Sequence, residues 1–355
     1  MNKILASKQA SKQASKQASS SYEQLVGKQR VGWIDNLKGF LIICVVLGHL
    51  LGSYVNSHTY VDLHQGMKWL ISIVYSFHMP CFFICSGYLF CHYIFSNVSK
   101  ILVNVGNFYI VYAVFAALFI AMSMLSGTAN NHYDAHTFFR ILYGEVGPYW
   151  YLYVLCLCYL LSYFCPYRVL CVVATVLSLA LMCLFQPHYS ILGKLFFHFP
   201  FFVLGFVIAY KNINIPSIVA AIVGVLSVLL LLYFIYFNIS FRQIPIVAFV
   251  LPLCLALALW TLFKGFDIDF YPLKICGLYC YEIYLFHSFL ATPIRLLFVK
   301  LGMPSLLSVL LNLLLGCLVP ILISLILKKL NVYKYIFKPL SAVGFLQKNS
   351  NSVQK

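Results

Sequence analysis

The sequence predicts an all-α, polytopic integral membrane bundle of about ten transmembrane helices. The 355 residues are 63% hydrophobic and only 9% charged, and the mean hydropathy is +0.92. Apolar runs long enough to cross a hydrocarbon core of ~30 Å recur from end to end. The short alternating segments of a membrane barrel are not seen. One helical bundle over 30–330 is therefore the natural unit, flanked by basic tails over 1–29 and 331–355.

The elements follow in order. The repeat ASKQASKQASKQASS, from Ala6 to Ser20, is polar and basic and has no apolar face, so it reads as a disordered tail and not as a signal peptide. Spans are expected at 34–54, 69–92, 101–125, 148–165, 168–185, 194–210, 215–237, 243–263, 274–298 and 303–327. The longest connection, 126–147, carries Asp134, Arg140 and Glu145. With a cytoplasmic N-terminus, the inner side holds both tails plus Lys100, Arg168, Lys211, Lys264 and Lys274. It then has about 18 of the 24 basic residues, as the positive-inside rule requires. The expectation is a multi-pass protein of the cell (inner) membrane with both termini cytoplasmic. The net charge of +16 is accounted for in this way, and nucleic acid is not an expected partner. The lipid bilayer is. The thirteen cysteines lie scattered through apolar spans and read as small buried hydrophobes.

Ionisable residues recur inside these spans. At ~1.5 Å per residue, His49 lies ~16 Å beyond Lys38, near the midplane, and His78 reaches ~13 Å from the other side. Measured from Lys274, Glu282 is ~12 Å in and His287 ~20 Å in, while His198 lies ~6 Å below the outer surface. Eleven residues make three turns plus ~20°, so Lys38 and His49 share a face, with Asp35 within ~40° of it. Glu282 and His287 are ~140° apart and do not both point at one site. Each Asp, Lys or Arg at such depth costs at least ~2.5 kcal/mol, and such groups usually face a bundle interior or a wet cavity. His78, Cys81 and Cys85 share a helical face, but Pro80 disturbs that helix and no second ligand pair accompanies them, so no metal is expected.

Several segments in order resemble the membrane acyltransferase-3 family, and more closely its fucose 4-O-acetylase-like branch. RVGWIDNLKGFLIICVVLGH (30–49) is similar to the first-helix signature, whose Arg/Lys-x10-His motif falls on Lys38 and His49. SFHMPCFFICSGYLF (76–90) is similar to the second helix and PYWYLYVLCLCYLL (148–161) to a Trp-containing fourth helix. YEIYLFHSFL (281–290) resembles the late segment that carries Glu282, Tyr284 and His287, and FFHFPFFVLGF (196–206) matches more weakly. Where family members often carry paired arginines after the second helix, this chain has Lys100, with His92 just upstream. The resemblance implies ten helices, acetyl-coenzyme A as donor on the cytoplasmic side, and acylation of a surface or exported glycan. It also implies that His49 is essential.

The residues themselves suit acyl transfer from a thioester to a sugar hydroxyl. A hydroxyl needs a base, and an imidazole with an ordinary pKa near ~6.5 fits that task. His49 is the expected base, with His78, His287 and Glu282 as further catalytic candidates. His78, Tyr88 or Tyr284 are candidate donors to the oxyanion. Arg30, Lys38 and Lys100 are the candidates for the coenzyme phosphates. Asp35, Tyr284 and Trp150 are candidates for the acceptor, Trp150 by stacking on a sugar ring. A transporter or flippase for a polysaccharide or its lipid-linked precursor would also place polar groups at the midplane.

Overall fold

The computed structural model describes residues 31–94, 98–126, 135–144, 146–164, 169, 172–173, 175–178, 190–266 and 270–344. Its main helices are α1 (Gly32–Asn56), α2 (His64–Ile94), α3 (Val98–Ser126), α4 (Trp150–Phe164), α5 (Ile191–Lys211), α6 (Ser217–Tyr236), α7 (Pro245–Gly265), α8 (Tyr271–Leu278), α9 (Cys280–Lys300) and α10 (Ser305–Lys329). Two short helices follow, α11 (Tyr333–Phe337) and α12 (Pro339–Ala342). Among the described residues, nine helices are long and apolar enough to cross a membrane. The protein is thus an all-α polytopic membrane bundle. The span expected at 168–185 lies largely outside the described residues, as do the N-terminal repeat, Arg30 and Glu145.

Burial sorts the helices by role. α6 is apolar all round and most of its side chains are exposed, from Ile218 to Tyr236, as a lipid-facing helix requires. α1 is buried along its length, including Asp35 and Asn36. The buried ionisable groups His78, His198, Glu282, His287 and Arg295 all lie inside the bundle, where membrane proteins keep such groups.

Two glycine pairs set the close helix crossings. A Cβ on Gly87 would overlap the Phe202 carbonyl, and one on Gly205 would overlap the Ile84 carbonyl, so α2 and α5 touch backbone to backbone. Gly39 and Gly277 do the same for α1 and α8, against the carbonyls of Leu273 and Asp35. Small residues are what permit such contact between membrane helices. Asn36 also fixes the start of α8, since its Oδ1 accepts from the Phe270 N–H at 3.0 Å.

Two expectations need correction. The span expected at 274–298 is not one helix: α8 ends at Leu278 and α9 restarts at Cys280, with Tyr279 at φ −104 and ψ 18 between them. Glu282 therefore sits in the first turn of α9 and not midway along one continuous helix from Lys274. The accompanying contact is tertiary: α8 packs against α1 backbone to backbone at the Gly39–Gly277 crossing. The region after 330 is also more than a tail. α11 and α12 fold back onto α3, where Asn107 accepts from Leu340 N–H at 2.8 Å and donates to Ser341 Oγ at 3.0 Å. Phe337 is buried there against Tyr281 and Tyr333.

Candidate active site

One face of α1 forms the spine of the site. Lys38, Ile42 and Val45 line a cavity of about 260 Å³, and Val45 and His49 line a second of about 320 Å³. The spacings of four, three and four residues keep all four side chains on one helical face. The two cavities also share Met79, Tyr151 and Tyr284, so they meet at a waist formed by α1, α2, α4 and α9. We call them the Lys38 chamber and the His49 chamber.

The His49 chamber is walled by α1, α2, α4, α5, α7, α9 and the turn that precedes α7. Pro80 of α2 and Pro252 of α7 line it, as do Ser76 and Ala248, the residues four positions before each proline. A proline has no N–H to return to that carbonyl. Helices interrupted in this way within a membrane are tolerated where they line a cavity. His78, His198, Trp150, Lys194 and Arg242 complete the polar part of the lining. Trp150 packs beside His198, with ring centroids 5.2 Å apart and the planes tilted by 44°, and the Lys194 ammonium lies 5.1 Å over the Trp150 ring.

His49 differs in one respect from the buried histidines His78, His198 and His287. His78, His198 and His287 each place Nδ1 on the carbonyl four residues earlier, Val74, Lys194 and Ile283, at 2.6, 2.8 and 3.0 Å. A carbonyl only accepts, so Nδ1 carries the proton in each and the tautomer is fixed. His287 also engages Nε2, 3.0 Å from Ser288 Oγ. Among the described residues nothing hydrogen-bonds the His49 ring. It is half-buried, lines its chamber, and has the rings of His287 and Tyr75 beside it at 5.2 and 6.3 Å. Both of its nitrogens are left for a substrate.

Hydroxyl groups gather at the waist. Tyr284 donates to Pro148 O at 2.8 Å, which uses its proton. Tyr151 Oη and Ser86 Oγ are 2.7 Å apart. Only one of their two hydroxyl hydrogens lies between them, so the other is available to a third group. Ser86 lines the Lys38 chamber and Tyr151 lines both.

The sequence-predicted residues divide accordingly. His49, His78, Trp150 and Tyr284 line the His49 chamber, and Lys38 and Tyr284 line the other. His287 stands behind His49, outside both linings. Asp35 lines neither chamber, and its carboxylate is 2.9 Å from Lys38 Nζ. Lys100 is exposed and Tyr88 packs on Trp33 and Trp260; neither lines a chamber. Arg30 lies outside the described residues.

Glu282 is placed elsewhere than beside the histidines. It lines neither chamber, is 3% exposed, and accepts from Tyr333 Oη at 2.7 Å and Ser324 Oγ at 3.4 Å. Burial, and then the bond to this carboxylate, hold the Tyr333 hydroxyl well above its ordinary pKa, so it stays a donor. The early position of Glu282 in α9 also suits the helix dipole. Sequence reasoning missed Lys194, Arg242, Tyr75 and the Ser86–Tyr151 pair. For the two cations a signal existed: they belong to the end of the protein where Lys and Arg are scarce.

The model of a family described as an acyltransferase domain matches residues 31–329, which contain every chamber-lining residue named above. The nodulation protein NolL of Sinorhizobium fredii (strain NBRC 101917 / NGR234) is 32% identical over 188 residues, covering 49% of this chain and 48% of that protein. The chain thus matches about half the length of that relative. No solved structure matches. With a family match over residues 31–329 laid over a bundle whose histidine-bearing chamber opens to a second one, the chain belongs to the acyltransferase-3 family.

Proposed function

We propose that the protein is an O-acetyltransferase that moves an acetyl group from acetyl-coenzyme A to a hydroxyl of a surface or exported glycan, with His49 as general base. The observation that carries this reading is the single face of α1 that presents Lys38 to one chamber and the uncommitted His49 ring to the next. The donor enters the Lys38 chamber from the cytoplasm, with its phosphates at Lys38, which Asp35 holds in place. The thioester reaches the waist. The acceptor occupies the His49 chamber, beside Trp150. Orientation with both termini in the cytoplasm of the inner membrane belongs to the same proposal.

The chemistry then balances in one step. His49 takes the proton of the sugar hydroxyl as its oxygen forms a bond to the thioester carbonyl carbon. The oxyanion that develops accepts the spare hydrogen of the Ser86–Tyr151 pair. The carbon–sulfur bond breaks, and the proton held by His49 ends on the departing coenzyme thiolate. His78 presents Nε2 to the chamber as an acceptor for a second sugar hydroxyl. Glu282 serves as an anchor for α11 and not as an acid or base. The family match favours transfer over the alternative of a polysaccharide transporter or flippase.

The test is release of free thiol. Purified protein with acetyl-coenzyme A and a glycan extract should release coenzyme A thiol and label the glycan, and His49→Gln should abolish both while melting like the parent. Glycan movement across a vesicle membrane without thiol release would overturn the proposal.

A further inference from the structure

We infer that the acceptor is an anionic glycan, held along a cationic path that runs from the His49 chamber into a neighbouring groove; this rests on the acyltransferase reading above. The chamber lining contains Lys194 and Arg242 and, among the described residues, no Asp or Glu. A second cavity of about 390 Å³ shares Tyr75, Phe241 and Arg242 with it and adds Lys68, Gln65, Trp69, Asn238 and Ser240, again without a carboxylate. Arg242 stands at the junction, where its Nη2 donates to Tyr75 O at 3.3 Å. Lys68, Arg242 and Lys194 therefore follow one another from the groove to the chamber that holds His49.

Charge statistics make this placement informative. By the sequence, this end of the protein holds six of the 24 basic residues: Lys68, Arg140, Lys194, Arg242, Arg295 and Lys300. Three of the six border the two connected cavities. Cations on the side that the positive-inside bias depletes call for a local reason, and a low-dielectric cleft of one sign concentrates ligands of the other. The rest of the lining suits sugar: hydrogen-bonding side chains at Gln65, Asn238 and Ser240, and indoles at Trp69 and Trp150. A lipid headgroup would engage the cations but would make no use of the connection to His49. Two joined cavities also hold more than one sugar unit, so the acceptor is an oligomer or polymer with a carboxylate or phosphate near the acylated unit.

The test compares surface glycans from cells with and without the gene by mass spectrometry, then uses the changed glycan as acceptor with the purified protein in phosphatidylcholine nanodiscs. The acetyl group is expected on a repeat that bears a carboxylate or phosphate. Reducing the carboxylates, or in a separate arm removing the phosphates, should raise the acceptor KM about tenfold with kcat little changed, and the arm that responds names the anion. Lys194→Gln and Arg242→Gln should raise KM for the charged acceptor and not for the neutralised one, with Lys194→Arg and Arg242→Lys restoring most of the affinity. Equal KM for charged and neutralised acceptors, or acetyl groups on a wholly neutral glycan, would overturn the inference while leaving acyl transfer intact. A response to phosphatidylglycerol in the nanodisc with no response to acceptor charge would overturn it in favour of a lipid site. Absence of thiol release with every glycan would remove the acyltransferase reading itself.

Discussion

The rings of His49 and His287 lie 5.2 Å apart, tilted by 43°, and the two residues are in opposite chemical situations. His287 has both nitrogens engaged, by Ile283 and Ser288, while the ring of His49 faces its chamber. One imidazole is locked by its own hydrogen bonds, and in the function proposed above the other is the base beside it. Substitution should separate them. His49→Gln is expected to lower kcat by 10²-fold or more, the low end of what a positioned base contributes. His287→Gln, which keeps a polar group of similar reach, should cost on the order of tenfold or less and act on kcat with the KM values nearly unchanged. Initial rates of thiol release for the two variants are the measurement, and equal losses would show that the division of labour is wrong.

The Lys38–Asp35 pair makes a second prediction. Lys38 is only partly buried, so its 2.9 Å pair with Asp35 adds little to stability but restricts where the ammonium sits. Lys38→Gln should raise the KM for acetyl-coenzyme A about tenfold and leave the acceptor KM within a factor of two. Asp35→Asn should raise the same KM by a smaller factor, because the cation remains but is less well placed. A variant of Lys38 that weakens the acceptor more than the donor would place the donor in the wrong chamber.

How much of this was legible in the sequence depends on whether one helix or several set the geometry. Lys38 and His49 lie on the same unbroken helix, so the 3.6-residue period fixed their shared face and the structure keeps it. The bundle class followed from hydropathy in the same local way. The break at Tyr279 was not legible, because α8 packs on α1 through Gly39 and Gly277, a contact between segments far apart in the chain. The pairing of Ser86 with Tyr151, and the meeting of Lys194 and Arg242 at one cavity, are equally long-range. Hydropathy carries no information about which lipid-length helices become neighbours.

The crossing of α2 and α5 should be intolerant of any side chain at its glycines. Gly87→Ala and Gly205→Ala each place a methyl group against a backbone carbonyl that has no rotamer by which to move away. Overpacking of this kind costs roughly 1–3 kcal/mol, and more where backbone must shift. Gly52→Ala is the control: it lies in α1, and nothing is within 4 Å of the added Cβ. Thermal melting in detergent should fall clearly for the first two and stay level or rise slightly for Gly52→Ala, since alanine is the better helix former.

Glu282 provides the last prediction, and it distinguishes an anchor from a catalyst. Its carboxylate is buried in the first turn of α9 and receives the Tyr333 hydroxyl, while the Lys328 ammonium lies 4.3 Å over the Tyr279 ring and 4.9 Å over the Tyr333 ring. These contacts join α9, α10 and α11 at the Lys38 end. Hydrogen bonds to a charged group contribute ~1.5–3 kcal/mol, and a buried acceptor left unpaired costs a similar amount. Tyr333→Phe and Glu282→Gln should each lower the melting temperature. The double variant should lose less than the sum of the two, because both remove the same bond. The fraction of protein that remains folded should keep a kcat within a few-fold of the parent. A Glu282→Gln protein that melts normally but has lost 10²-fold or more in kcat would return Glu282 to the chemistry and would require α9 to bring it to a chamber it does not line here.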